Sequence, residues 1–333
     1  MTQTAAVSGT SSHPLRILLT GAFGNIGIET LRELLRAGHR VRCFDLPSPR
    51  AKALAAEFRN AAEIAWGDLC SRDDVARAVA DRDAVIHDAA VIPPLSERKP
   101  EVTRRVNVEG TRNILSACQA QRSKPTLVFA SSVSLFGRTQ HLNPPRRAHE
   151  AIAPSDHYSH SKATCEQMIV ASDLDWIILR FGAVPPPSPS RKTSLGLREL
   201  FAIDPASRVE YLDCRDAGLA QARAVVCDEA VRKILLVGGG RSCQIRMRDL
   251  YDAGLDALGV GPFPDSAYGG EPYYTDWMDT EESQRLLRYQ RYGFALYRAS
   301  LMRRMQRLRR VVRPLRRPIR RFMLLHSPTM RRA

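Results

Sequence analysis

From Arg16 to Phe181 short apolar runs alternate with longer amphipathic stretches. Ile17, Leu18 and Leu19 are consecutive apolar residues, too few for a helix and soon followed by Gly21, which reads as a buried parallel strand. Ile26, Leu31, Leu34 and Leu35 then recur at helical spacing. The pattern predicts further strands at Arg40–Phe44, Glu63–Trp66, Ala84–His87, Thr126–Ala130 and Trp176–Phe181. It predicts helices near Pro49–Phe58, Asp73–Val79, Val102–Ala120 and His157–Ala171. Apolar strands alternating with helices imply an α/β, doubly wound parallel sheet covered on both faces. Right-handed crossovers then bring the C-terminal strand ends, and any ligand, to one edge.

After Gly182 the pattern breaks at Pro185, Pro186, Pro187 and Pro189, and a basic, loop-rich segment runs to about Ser207. Arg208–Val226 and Lys233–Val237 read as a return to the sheet, and Gly259–Tyr274 as a loop over the cleft. No internal repeat is visible. The expected division is a disordered leader (1–13), a dinucleotide-binding Rossmann-type domain (14–182), a small substrate-binding lobe (183–284, with about 208–240 rejoining the sheet) and a basic helical tail (285–333).

The first strand-to-helix turn carries the clearest chemistry. In RILLTGAFGNIG, Gly21 permits a sharp turn, Gly24 permits close approach of a pyrophosphate, and Gly27 permits packing of the helix. The free N–H groups of that helix would face phosphates, with Phe23, Asn25 and Ile26 completing the loop. Asp45, eighteen residues beyond Gly27, can accept both ribose hydroxyls and repels a 2′-phosphate. NAD is therefore favoured over NADP, although Arg42 and Arg50 keep NADP open.

Tyr158 and Lys162 stand four residues apart on a predicted helix and share a face. A phenol of pKa about 10 is a poor base at neutral pH, and an adjacent ammonium favours its ionised form. The pair could exchange a proton with a substrate hydroxyl, and Ser131 and Ser132, at the end of the preceding strand, could bind the same oxygen. His87, His157 and His160 lie on separate elements without metal-ligand spacing, so no metal site is expected. Cys118 and Cys165 fall on apolar helix positions as core fillers.

With the glycine loop, these residues resemble the short-chain dehydrogenase/reductase superfamily, specifically its extended branch of nucleotide-sugar epimerases and dehydratases. The likeness runs from about Arg16 to Asp216, and more faintly to about Arg288, through TGAFGNIG, Asp45, GDL (67–69), HDAA (87–90), NVEGT (107–111), SSVSLFG (131–137), YSHSK (158–162), LRFG (179–182) and YLDCRD (211–216). The resemblance implies that Asp68, with Leu69 beside it, contacts adenine and that Ala89 and Ala90 line the dinucleotide. It implies that Asn107 supports the active-site helix and proton relay, Ser132 orients the substrate oxygen, Tyr158 is the acid/base, and Lys162 holds the nicotinamide ribose. An NAD-dependent oxidoreductase or epimerase acting on a sugar or nucleotide sugar is the implied activity. A dehydrogenase of a non-sugar alcohol and a non-enzymatic NAD-sensing scaffold are the alternatives. Val133 and Ser134 stand where 4,6-dehydratases carry an Asp-Glu pair, which disfavours that reaction. Asp88 departs from the family's usual apolar residue, which puts a charge near the cofactor or, as the favoured alternative, leaves a solvated acid at a strand end. The segment from Gly182 to Tyr211 is short for gripping a nucleotide diphosphate sugar, though Arg191, Lys192 and Arg198 could meet a phosphate.

Charge changes the picture at one end only. The chain carries a net +15, and sixteen arginines, without a lysine or an acid, fall between Arg285 and Ala333, so the body is close to neutral. Apolar residues at 294, 297, 301, 305, 308, 312, 315, 319 and 322 describe one helical face, with Pro314 and Pro318 interrupting its far end. A basic amphipathic helix suits an anionic membrane surface through residues 294–325. Nucleic acid is disfavoured for want of a stacking platform, and a homodimer contact or a flexible basic extension is the remaining alternative. Seven scattered cysteines without a C-x-x-C pair, a polar leader and the lack of a bilayer-length apolar run suggest a cytoplasmic protein, peripheral at most on the inner membrane face.

Overall fold

The structure, a computed structural model, describes residues 13–186, 197–271 and 273–329. The leader before His13, Pro187, Pro189, Arg191, Lys192 and the Arg198 side chain lie outside the described residues. Seven parallel strands form the main sheet: β1 (Arg16–Thr20), β2 (Arg40–Asp45), β3 (Glu63–Trp66), β4 (Ala84–His87), β5 (Thr126–Ser132), β6 (Trp176–Phe181) and, after the short β7 (Arg208–Glu210), β8 (Lys233–Val237). Their order is β3-β2-β1-β4-β5-β6-β8, so the winding reverses between β1 and β4. A crevice forms there beyond the carboxyl ends of the strands.

Side-chain alternation divides the strands between two apolar layers. Ile17, Leu19, Ile86, Val128 and Ile177 enter one cluster, and Leu18, Val85, Leu127, Phe129 and Ile178 the other. Both faces are covered, which is why these strands read as unbroken apolar runs.

Three expectations need correction. Val102–Ala120 is not one regular helix: Pro100–Thr103 and Gly110–Gln119 are joined by a π-helical turn at Arg104–Glu109. Arg208–Val226 does not rejoin the sheet. Its β7 pairs antiparallel with β9 (Gln244–Arg246), and Cys214–Ala224 is a helix against Asn25–Arg36. That packing is close, because a Cβ on Gly218 would lie 2.6 Å from the backbone of Glu29 and Thr30. Only Lys233–Val237 returns, as β8. Gly259–Tyr274 is largely a loop, but its middle is buried rather than draped over a cleft, with Ala267 and Tyr268 in an aromatic cluster alongside Phe201, Tyr211, Tyr251 and Phe263.

The tail is helical at Phe294–Val312 and Arg316–Leu324, with a 3₁₀ turn at Arg313–Leu315 around Pro314. Phe294 and Met323 are buried in the same aromatic cluster, Tyr297, Val312, Ile319 and Leu324 pack against it, and Leu301 is buried as well. Much of the predicted apolar face is therefore occupied by the protein itself. Among the described residues no helix is long and apolar enough to cross a membrane. All seven cysteines are free thiols, with Cys118 and Cys165 fully buried.

Candidate active site at the strand-order reversal

The glycine turn sits at the end of β1. Gly21 has φ +67°, and a Cβ there would lie 2.8 Å from the backbone of Ala89, so β1 and the segment after β4 meet through a residue without a side chain. A Cβ on Gly27 would lie 2.2 Å from the Gly21 carbonyl oxygen, which makes Gly27 the contact of the helix with the turn itself. Gly24 precedes the helix Asn25–Arg36, whose first turn has neither a side-chain cap nor an acidic residue. Within that first turn the Gly27 amide meets the Asp88 carboxylate, and the positive end of the helix is what a pyrophosphate requires.

Asp45 ends β2 beside this turn and accepts the amides of Phe23 (3.0 Å) and Leu46 (2.8 Å), leaving acceptor capacity for a ribose. Burial pushes its carboxyl above the usual range, and the Arg50 guanidinium opposes the shift. Phe23 donates its amide to Asp45 and turns its buried ring against Trp66. Ile26 packs on the core, and Asn25 accepts from Arg50 at 3.1 Å. Arg42 is committed elsewhere, to Glu63 and the carbonyls of Arg77, Ala78 and Ala80, so of the two arginines that kept a 2′-phosphate open only Arg50 stands at the site. Asp68 accepts the Cys70 amide, and Leu69 packs on Gly110. Ala89 donates its amide to the Thr20 hydroxyl, and Ala90 is partly exposed. Glycine cradle, helix N-terminus and the acid at the end of β2 together fit a dinucleotide.

On the other side of the crevice, Asp156 caps the helix His157–Val170 by accepting the Ser159 amide at 2.7 Å. Glu97, which nothing local marks, accepts the amides of His157 (3.0 Å) and Tyr158 (3.1 Å). Tyr158 and Ser132 are within hydrogen-bonding reach. Ser132 also accepts from the Ser134 hydroxyl at 2.9 Å. Lys162 is buried, donates to the Ala130 carbonyl at 2.6 Å and lies 5.9 Å from the centroid of the Tyr158 ring. Asn107, inside the π turn, accepts the Val91 amide and donates to the Val91 carbonyl and the Ser161 hydroxyl. Its own carbonyl takes the Thr111 hydroxyl and the Cys165 thiol. Asn107 thus ties the helix His157–Val170 to the loop after β4. Ser131 faces away from Tyr158 and donates to Glu166, which Arg180 grips through two nitrogens in a buried ion pair.

The electrostatics differ from the simple tyrosine–lysine expectation. Burial and the negative charge of Asp88 hold the Tyr158 phenol above its ordinary value, and only the Ser132 hydrogen bond pulls it down. Burial lowers the Lys162 ammonium, opposed by nearby acidic groups including Asp88 and Glu166. Asp88 is not the solvated strand-end acid expected. It accepts the Gln221 amide at 2.9 Å and lies close to Gly27, Asp45 and Lys162, and burial raises its carboxyl to about 6. Gln221 in turn accepts from the Thr30 hydroxyl at 2.5 Å. No local signal marks Gln221, which lies 133 residues beyond Asp88. His87 is a core histidine between Thr20 and Thr111, its pKa lowered by burial to about 3. His157 and His160 are exposed on the helix His157–Val170.

A profile of the NAD dependent epimerase/dehydratase family matches residues 17–198. Among characterised relatives, 3-beta-hydroxysteroid dehydrogenase of Mycolicibacterium neoaurum is 30% identical over 164 residues, 47% of this chain and 43% of that protein. UDP-glucose 4-epimerase of Azospirillum brasilense is 31% identical over 186 residues, 54% and 51% of the respective chains. The chain thus spans about half the length of each of these relatives. The structure of the Thermus thermophilus UDP-glucose 4-epimerase, a complex with NAD, superposes with a TM-score of 0.71 at 22% identity, over 88% of this chain and 99% of that one. Fold, ordered motifs and the profile match agree: the chain belongs to the NAD dependent epimerase/dehydratase family.

Proposed function

We propose that the chain catalyses reversible, NAD-dependent oxidation of a secondary alcohol on a sugar or nucleotide sugar, with epimerisation as the net reaction. The observation that carries this reading is the position of Tyr158, Ser132 and Lys162 at the crevice that begins with the Gly21 turn. Gly21, Gly24, Gly27, Asp45, Asp68, Leu69, Ala89 and Ala90 would hold the dinucleotide, whose oxidised form supplies a hydride acceptor and a positive charge. Tyr158 takes the hydroxyl proton, and Ser132 hydrogen-bonds the same oxygen as it becomes a carbonyl. Lys162, fixed by the Ala130 carbonyl, adds positive charge on the tyrosine side of the site. Asn107 positions the helix through the Ser161 hydroxyl and the Val91 backbone. In an epimerase the ketone turns over before reduction and the proton returns from Tyr158. In a dehydrogenase the ketone leaves. Val133 is buried and Ser134 is bonded to Ser132, so this element offers no acid pair for a 4,6-dehydration.

A second reading, dehydrogenation of a non-sugar alcohol, is supported by Ile92 and Leu95. Both are exposed apolar side chains on the segment between Ala90 and Glu97. The similarity to a hydroxysteroid dehydrogenase points the same way. The test supplies purified protein and NAD with UDP-hexoses in one arm and sterol alcohols in the other. Interconversion of C4 epimers without accumulation of reduced nicotinamide supports the first reading, and stoichiometric reduced nicotinamide with a sterol supports the second. Tyr158→Phe should lower turnover by roughly three orders of magnitude or more while sparing NAD binding, and wild-type-like turnover would refute the mechanism.

A further inference from the structure

The two C-terminal helices are anchored to the rest of the protein along one edge. Besides the buried Phe294, Leu301 and Met323, Arg309 donates to the Asp256 carbonyl. Arg320 donates to the carbonyls of Val260 (3.2 Å), Gly261 (3.0 Å) and Pro262 (2.7 Å), over the ring of Phe263. Ser327 adds a hydrogen bond to the Ala267 carbonyl at 2.6 Å. This docking takes only part of the apolar face. Leu308, Val311, Leu315, Phe322 and Leu325 remain between 46% and 64% exposed, and their spacing of three, four, seven and three keeps them on one side of the helical run. Arg303, Arg307, Arg310, Arg317 and Arg321 are exposed around them, with no carboxylate partner among the described residues.

We propose that this outer strip docks on an anionic lipid bilayer, the helices lying in the plane of the headgroups. Charge complementarity selects the partner, because the segment from Arg285 onward carries sixteen arginines and no acid. A second copy of the chain would bring like charge to like. A nucleic-acid backbone would pair with the arginines but leave the five apolar side chains in water. A bilayer surface satisfies both, taking the apolar side chains into the acyl boundary while the arginine stems reach back to lipid phosphates. The strip is displaced from the face expected from sequence periodicity, since Phe294 and Tyr297 of that face turn to the aromatic cluster and Leu301 is buried.

Deleting the tail would uncover the aromatic cluster, so the test uses Val311→Glu, Leu315→Glu and Phe322→Glu together, all at exposed positions. Wild type and triple variant are sedimented with vesicles of phosphatidylcholine alone and of phosphatidylcholine mixed with phosphatidylglycerol. In parallel, duplex DNA binding and self-association are measured, and retained melting temperature and NAD binding show that the variant is folded. The expected result is sedimentation of wild type with the mixed vesicles only, weakened by salt, and at least roughly a tenfold loss in the triple variant. The proposal is overturned if wild type ignores the mixed vesicles or if the folded triple variant partitions equally. It is also overturned if the substitutions abolish self-association while vesicle binding is absent, or if DNA is bound where vesicles are not.

Discussion

Replacing Asp88 with asparagine keeps the side chain's shape and its acceptor for the Gln221 amide while removing the charge. The carboxyl is raised from 3.8 to about 6 because it is buried, and the Gln221 amide, Lys162 and the Gly27 amide only partly offset that cost. A shift of about two units corresponds to roughly 2 to 3 kcal/mol held against the folded state when Asp88 is ionised. Below its unfolded pKa of 3.8 the residue is neutral in both states, and the variant has no advantage from this source. Between 3.8 and about 6 the folded protein keeps a proton that the unfolded chain has lost, so wild-type stability falls relative to the variant as pH rises. Above about 6 the full difference is present. Urea unfolding of both proteins across this range, at constant ionic strength, should show a gap that is small at the acid end and reaches roughly 2 to 3 kcal/mol at neutral pH. A gap independent of pH would refute the buried-charge reasoning. Because Asp88 also raises the Tyr158 phenol, the alkaline rise of the oxidation rate should move to lower pH in the same variant.

Other perturbations separate the parts of the site. Gly27→Ala puts a Cβ 2.2 Å from the Gly21 carbonyl oxygen and should abolish NAD retention, as read by fluorescence titration; wild-type affinity would count against the turn's role. Asp45→Asn removes a charge that repels a 2′-phosphate while Arg50 stays nearby, so the NADP-to-NAD affinity ratio should rise by roughly tenfold, or about 1.4 kcal/mol. An unchanged ratio would remove Asp45 as the selector. Arg180→Met removes the partner of the buried Glu166 and should cost about 3 to 5 kcal/mol in chemical denaturation, and a loss below about 1 kcal/mol would show that the pair does not hold this part of the core.

The strands of the main sheet, the glycine turn and the Tyr158–Lys162 face could be read from the chain because each is a local pattern. Apolar runs mark strands buried on both faces, and spacing marks helical neighbours. Features made by distant pairing could not be read this way. Asp88 looks like any strand-end acid until Gln221 arrives from the returning helix, and Glu97 shows no sign of capping a helix that starts sixty residues later. Arg208–Glu210 has the character of a strand, yet composition does not say which sheet it will join. A three-and-four periodicity in the tail marks an apolar face without saying whether protein or lipid will cover it, and here Phe294 and Leu301 go to the protein.

The π turn at Arg104–Glu109 has a consequence for how this site tolerates change. One residue more per turn than a regular helix offsets everything on one side by roughly 100° against the other. That offset accompanies the reach of a single side chain, Asn107, to both the Val91 backbone and the Ser161 hydroxyl. Shortening the turn by one residue would leave the chain helical and its apolar content unchanged, yet would swing this junction away from one of its two anchors. The spacing between the loop after β4 and the helix that carries Tyr158 is thus tied to one extra residue in this turn, and length here is as constrained as residue identity.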